Sequence, residues 1–286
     1  MPPLVLLCLL ATWVVWGSTY LAIKYALLSF PPFMQMASRF LVAGLLLLAW
    51  MRWRGAPWPT LRQWCNALVV GGLMLGGGMG GVAHAELTIG SGLVVAFIAV
   101  VPLMITLLNL FWGVVPGRWE SAGIALGLAG VLLLTQGQGF QASPAGLLAM
   151  AVACLSWSLG SVLSQRSLPL AQGAMGFASE MICGGVVLAL LSLASGENWN
   201  WPPQPVAAAA WLYLVVFGSL IAFNAYMVLL ARAPASLAAS YTFVNPVIAM
   251  MLGVWVAGET VSRFEWYAVA VVLAGVLLLL FQQRRT

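Results

Sequence analysis

The sequence predicts an all-α polytopic membrane protein of ten transmembrane helices arranged as a five-plus-five inverted-topology repeat. Three observations predict this. Hydrophobic residues make up 63% of the 286 and charged residues 6%, which leaves too few polar side chains to coat a water-soluble globule of this length. Apolar runs near the ~20 residues that a helix needs to cross a hydrocarbon core recur along the chain. The chain also matches itself at a nearly constant offset, as an internal repeat does.

The runs fall at 4–28, 33–51, 64–85, 91–114 and 119–135, and again at 145–165, 173–194, 207–231, 236–257 and 264–281, broken by Pro, Gly, Arg or polar clusters. The first lacks the basic leading region of a signal peptide and an obvious cleavage site, so it reads as a span. Cys8, Cys65, Cys154 and Cys183 are dispersed, with neither metal-ligand spacing nor a disulfide framework. They read as packing residues, and no metal or cofactor is expected.

The self-match orders the runs into two halves, 1–140 and 141–286. Trp16 and Trp157 lie 141 apart, and at the same offset Ala37-Ser38-Arg39 faces Ala178-Ser179-Glu180 and Gly44 faces Gly185. Leu93 aligns with Leu237 and Pro102 with Pro246 at 144, and Ala129-Gly130 with Ala274-Gly275 at 145. Five spans is an odd number, so the second half enters the membrane from the opposite side. A pseudo-two-fold axis then lies in the membrane plane, and in such repeats a binding site falls near the midplane between the halves.

Orientation follows from the cations. With a cytoplasmic N-terminus, Arg52, Arg54, Arg62, Arg118, Arg166, Arg232, Arg284 and Arg285 lie inside, and Arg263 is the clear loop cation outside. The positive-inside rule favours this arrangement, with both termini cytoplasmic in a bacterial-type inner membrane. Cations at the ends of apolar runs meet a lipid bilayer rather than nucleic acid.

Residues badly suited to lipid mark the expected pathway. Trp16, Tyr20 and Lys24 recur every fourth residue along one face of the first span, and their repeat mates are Trp157, Ser161 and Gln165. Phe97 aligns with Tyr241, and Asn245 lies one turn beyond Tyr241. With Asn224 in the eighth span, these residues form a candidate site for an amphipathic ligand, the rings stacking its apolar part. The competing reading is interfacial anchoring of the aromatics and interhelical hydrogen bonding of Asn and Tyr. Gly76, Gly77, Gly78, Pro102 and Pro246 are hinge candidates, and close packing is the alternative for the glycines.

Charge at membrane depth costs several kcal/mol, so Lys24, Arg39, Glu86 and Glu180, with His84, are candidates for gating or coupling. Arg39 and Glu180 are repeat mates directed to opposite membrane faces, so Arg39 is expected to meet Glu86 instead. That pair reads as an outer gate, a static clamp or a snorkelling head group. Proton coupling through Glu86, Glu180 and His84 is a further reading.

The ten spans, the five-plus-five duplication and the segments Thr88 to Pro102 and Ala235 to Pro246 resemble the drug/metabolite transporter superfamily, EamA type. Gly258-Glu259 and Ala274-Gly275 resemble the family's second-half ending, whereas the first half has Pro116-Gly117 where a Gly-Glu pair would stand. The aromatic-rich chain looks most like the YddG-type aromatic amino-acid exporters. The resemblance implies a secondary transporter that moves small amphipathic metabolites, amino acids including aromatic ones, by alternating access and as an exporter. A carrier of lipophilic drug cations is the alternative, and a channel a distant one. An enzyme is not expected: HExxH and aspartate are both absent, and His84 has no nucleophile motif beside it.

Overall fold

In the computed structural model, residues 2–88, 94, 97–135, 143–198, 202–257 and 263–283 are described. The helices are α1 Pro3–Ala26, α2 Pro32–Trp53, α3 Leu61–Ala85, α4 Val101–Leu110, α5 Arg118–Thr135, α6 Pro144–Arg166, α7 Ala174–Ala194, α8 Pro205–Arg232, α9 Tyr241–Ala257 and α10 Arg263–Gln283. A single helical turn, Ala235–Ala238, precedes α9. Among the described residues six helices (α1, α2, α3, α6, α7 and α8) are long and apolar enough to cross a membrane. Shorter apolar stretches lie in α4 and α10. Leu93, Gly258 and Glu259 lie outside the described residues, as does the side chain of Pro246.

Local chemistry sets the helix starts. Proline occupies the first turn of α1, α2, α6 and α8, where its missing N–H has no intrahelical partner to lose. Thr60 and Gln63 form a reciprocal capping box at α3, and Ser143 accepts from Gly146 N at 3.0 Å to cap α6. Pro102 also belongs with these. It stands in the first turn of α4, directly after the helical residues 97–98 and a turn at 99–100.

Packing follows the repeat. The most extensive contacts join mates, α2 to α7 and α5 to α10, and the remaining major contacts come in equivalent pairs: α1 with α8 and α6 with α3, α1 with α9 and α6 with α4, α3 with α7 and α8 with α2. Lipid tails supply no hydrophobic drive between helices, so small residues that permit close approach hold them together. A Cβ on Gly44 would lie 3.0 Å from Ile182 N, and one on its mate Gly185 would lie 3.1 Å from Leu41 N. Across the other seam, a Cβ on Gly130 would lie 2.7 Å from Val272 N, and one on its mate Gly275 would lie 2.6 Å from Gly127 N.

Two π-helical segments, Gly72–Met79 in α3 and Leu214–Phe223 in α8, occupy equivalent positions in the halves. Wider turns of this kind leave carbonyls short of intrahelical donors and recur at functional sites. Here side chains supply donors: Trp16 Nε1 gives to Gly218 O at 3.2 Å and Ser219 Oγ gives to Leu214 O at 3.2 Å.

Loop contacts sort the helix ends onto two faces. On one, Asn66 Nδ2 donates to Pro169 O (2.8 Å), Arg166 Nε to Asn109 Oδ1 (3.2 Å) and Gln165 Nε2 to Leu230 O (2.6 Å). Arg52, Arg54, Arg62, Arg118 and Arg232 also belong to helix ends on this face. On the opposite face, Gln204 N donates to Ser29 Oγ (3.0 Å) and Ser143 Oγ to Thr88 Oγ1 (3.0 Å). There Glu197, in the α7–α8 connection, accepts from Phe33 N (3.0 Å), Met34 N (2.8 Å) and Ser192 Oγ (2.7 Å). A carboxylate in that position satisfies the free N–H groups and the positive dipole end of α2.

Candidate functional site

The repeat mates Trp16 and Trp157 meet between the halves. Their rings contact edge to face, with centroids 5.7 Å apart and planes at 79°. Tyr241 lies 4.6 Å from Trp16 and Tyr226 5.6 Å from Tyr241, both edge to face, while Tyr226 lies 5.2 Å from Trp16 and 5.4 Å from Trp157. Four helices, α1, α6, α8 and α9, thus each contribute one ring to a tetrad. Trp16, Trp157, Tyr226 and Tyr241 are all buried, at a depth where anchoring to the membrane interface does not account for them.

Several polar groups in and beside this cluster have partners, although Asn245 Oδ1 is buried without one. Trp157 Nε1 donates to the Tyr226 hydroxyl at 3.2 Å, and Ser161 Oγ lies 3.1 Å from the same oxygen. Asn245 Nδ2 donates to the Tyr20 hydroxyl at 3.4 Å.

A cavity adjoins the tetrad on the side of the C-terminal ends of α1 and α3. It is lined by Trp16, Thr19, Tyr20 and Ile23 of α1, Gly78, Met79 and Val82 of α3, Ala153, Cys154 and Trp157 of α6, Tyr241 of α9, and Ile98 and Val101 at the start of α4. Its volume is about 40 Å³.

At the mated position on the other side of the axis the lining differs. Val82 and Tyr226 each stand three residues beyond their π segments. Val82 lines the cavity, whereas Tyr226 carries a ring into the tetrad and bonds Trp157 there. One substitution between mates thus makes the two sides of the axis unequal.

Of the expected binding residues, Trp16, Tyr20, Trp157 and Tyr241 come together around the cavity. Ser161 lies below it, bonded to Tyr226, and Asn245 supports Tyr20 from behind. Phe97 packs against the core, and its carbonyl oxygen lies 3.5 Å from Cys154 Sγ. Asn224 donates to Leu220 O at 2.8 Å, one helical turn back, and does not line the cavity. Thr19, Ile23, Val82 and Cys154 also line the cavity, and sequence reasoning missed them although Thr19 carries a buried hydroxyl. The π-helical turns, which aim Gly78 at the cavity, are invisible to hydropathy.

The charged candidates separate. Arg39 is 1% exposed; its Nε donates to Ser219 Oγ at 2.7 Å, and its guanidinium lies 4.8 Å over the Phe40 ring. Gly218 makes room for it, since a Cβ there would stand 2.8 Å from Arg39 Nη2. The expected Arg39–Glu86 pair is not formed: Arg39 turns to α8, and neither Glu86 carboxylate oxygen has a hydrogen-bond partner. Glu180 occupies the mated position against Gly71, whose Cβ would lie 2.5 Å from Glu180 O, and its two carboxylate oxygens are also buried without partners. His84 is exposed and stacks on Phe33, with planes 6° apart, away from the cavity. Gly76, Gly77 and Gly78 lie in the α3 π segment and pack closely on Val187, Ser156 and Trp157. No cluster that could hold a metal ion occurs among the described residues.

The EamA-like transporter family matches this chain twice, over residues 3–136 and 144–281. The chain belongs to that family. Each match covers one five-helix set, so the EamA repeat coincides with the mates that meet across the axis. The chain is 40% identical over 271 residues to the inner membrane transporter YedA of Escherichia coli K12, covering 94% of this chain and 88% of YedA. It is 26% identical over 287 residues to a chloroplastic WAT1-related protein of Arabidopsis thaliana, 96% of this chain and 69% of that protein. A similarity at 25% identity extends over 284 residues of the protein PecM of Dickeya dadantii, 95% of this chain and 92% of PecM. One crystal structure shares the fold with a TM-score of 0.78 at 23% identity, covering 98% of this chain and 97% of its own. This EamA-family chain is a multi-pass membrane transporter.

Proposed function

We propose that the protein is a secondary transporter that exports small amphipathic metabolites, amino acids including aromatic ones, by alternating access across an inner membrane. The cavity on the pseudo-two-fold axis, floored by the Trp16–Trp157 pair, carries this reading. An apolar, aromatic chamber with a few hydroxyls suits a ligand whose bulk is a ring. Its halves are residues 1–140 and 141–286; because α1 packs on α8 and α9, and α6 on α3 and α4, rocking of these two mixed bundles exposes the tetrad to each side in turn. The face rich in arginine, which includes both termini, is the cytoplasmic one.

Counterflow of labelled phenylalanine in proteoliposomes tests the assignment. Saturable exchange, competition by other aromatic amino acids and its loss in Trp16→Ala and Trp157→Ala are the expected results. Absence of uptake for every amino acid would remove the substrate assignment and leave the transporter fold intact. The unpartnered Glu86 carboxylate keeps a lipophilic cation as the second reading; competition by tetraphenylphosphonium but not by phenylalanine would select it.

A further inference from the structure

Two charged residues, the exposed Lys24 and Glu86 with its buried carboxylate, each stand one helical turn beyond a residue that lines the cavity. Lys24 lies one helical turn beyond Tyr20 on α1, and Glu86 lies one turn beyond Val82 at the end of α3, its N–H donating to Val82 O at 3.0 Å. Tyr20 and Val82 both line the cavity, so the helical period sets Lys24 and Glu86 above its walls. Glu86 is within electrostatic range of both Lys24 and the Tyr20 phenol. No hydrogen bond joins the charges, and both Glu86 oxygens are buried without a partner. A buried carboxylate left unpaired carries a large desolvation cost, which a ligand cation relieves.

We infer that Lys24 and Glu86 form a head-group clamp for a zwitterion: Glu86 receives the α-ammonium, Lys24 the α-carboxylate, and the side chain points down onto the Trp16–Trp157 floor. This rests on the amino-acid reading above and adds the orientation of the ligand and the two residues that select its head. A cation and an anion held apart over an apolar chamber match a molecule with both charges at one end and a ring at the other. A ligand with one charge leaves one member of the clamp unpaired, which costs affinity. Lys24 also stands in the last turn of α1, where it favours the dipole of that helix. That role alone predicts an effect on stability with no dependence on the ligand.

Three competitors of labelled phenylalanine counterflow separate the cases: phenylalanine, phenethylamine, which lacks the carboxylate, and 3-phenylpropanoate, which lacks the ammonium. In wild type, phenylalanine is expected to compete at least tenfold better than either. Glu86→Gln should weaken phenylalanine and phenethylamine tenfold and leave 3-phenylpropanoate unchanged. Lys24→Met should weaken phenylalanine and 3-phenylpropanoate and spare phenethylamine. Where a variant loses flux, the shift of thermal unfolding of the purified protein with each compound reads the same preferences. Wild-type exchange of phenylalanine with unchanged selectivity in both variants overturns the clamp and leaves the amino-acid reading standing. Wild type that neither exchanges nor is stabilised by any amino acid overturns both.

Discussion

Trp16 and Trp157, separated by 141 residues in the chain, touch edge to face with ring centroids 5.7 Å apart. Equivalent residues of an inverted repeat meet only at the axis that relates them, so this contact locates the axis. The cavity adjoins these rings, and both line it. Removing one ring takes away large buried area and the mutual contact. Trp157→Ala is expected to cost about 3–5 kcal/mol of stability and to abolish saturable exchange, while Trp157→Phe retains part of each; thermal unfolding and counterflow measured together check this.

Tyr226, fully buried, stands in the tetrad at the position mated to Val82. Tyr226→Phe keeps the ring but leaves the buried Trp157 indole N–H without its acceptor, a loss of about 1–3 kcal/mol. Tyr226→Ala should open a passage toward the face that bears the termini. In a background lacking the native cysteines, a Ser161→Cys thiol is expected to react with a membrane-permeant maleimide in the Tyr226→Ala protein and to be protected when Tyr226 is present. Equal labelling in both would show that Tyr226 is not the obstruction.

Arg39 depends on Ser219. Ser219→Ala removes the hydroxyl that accepts from Arg39 Nε at 2.7 Å, and a bond to a buried charge contributes about 1.5–3 kcal/mol. Gly218→Ala brings a methyl group to 2.8 Å from Arg39 Nη2 and is expected to destabilise through the same side chain. Replacing Arg39 by Met in either background should recover stability, because the buried cation that lost its partner is then gone. Melting temperatures of the single and double variants in detergent decide the point.

The glycine seams predict a contrast within one protein. Gly130→Ala sets a Cβ 2.6 Å from Val272 Cγ2 and 2.7 Å from its backbone N, whereas Gly72→Ala meets nothing nearer than 3.7 Å. The first is expected to lose about 1–3 kcal/mol by overpacking. The second should be close to neutral or gain slightly from helix propensity. Comparable melting temperatures for the two would contradict the role assigned to the α5–α10 seam.

Much of the fold is legible because the bilayer restricts what a chain can do. Every backbone group inside it must be satisfied internally, so apolar runs of spanning length convert directly into helices, and α1–α3 and α6–α8 lie where those runs fall. The landmarks that revealed the duplication also proved to be its contacts: Gly44, Gly185, Gly130 and Gly275 are the points where mated helices touch. The partners of the charges were less legible. Arg39 and Glu86 share a side of the membrane by topology, yet Arg39 reaches Ser219 on α8, because helix rotation within the bundle, which hydropathy does not encode, decides what a long side chain meets.

By itself the sequence determined an inverted pair of five-helix halves and the aromatic face Trp16, Tyr20, Trp157 and Tyr241, since spanning length and residue identity suffice for those. Tertiary structure alone decided that Trp16 and Trp157 meet each other, that Tyr226 enters the tetrad while its mate Val82 lines the cavity, and that neither Glu86 oxygen finds a partner. Those relations depend on π-helical turns and on how far one helix rotates against the next, and these are set by close packing between segments more than a hundred residues apart.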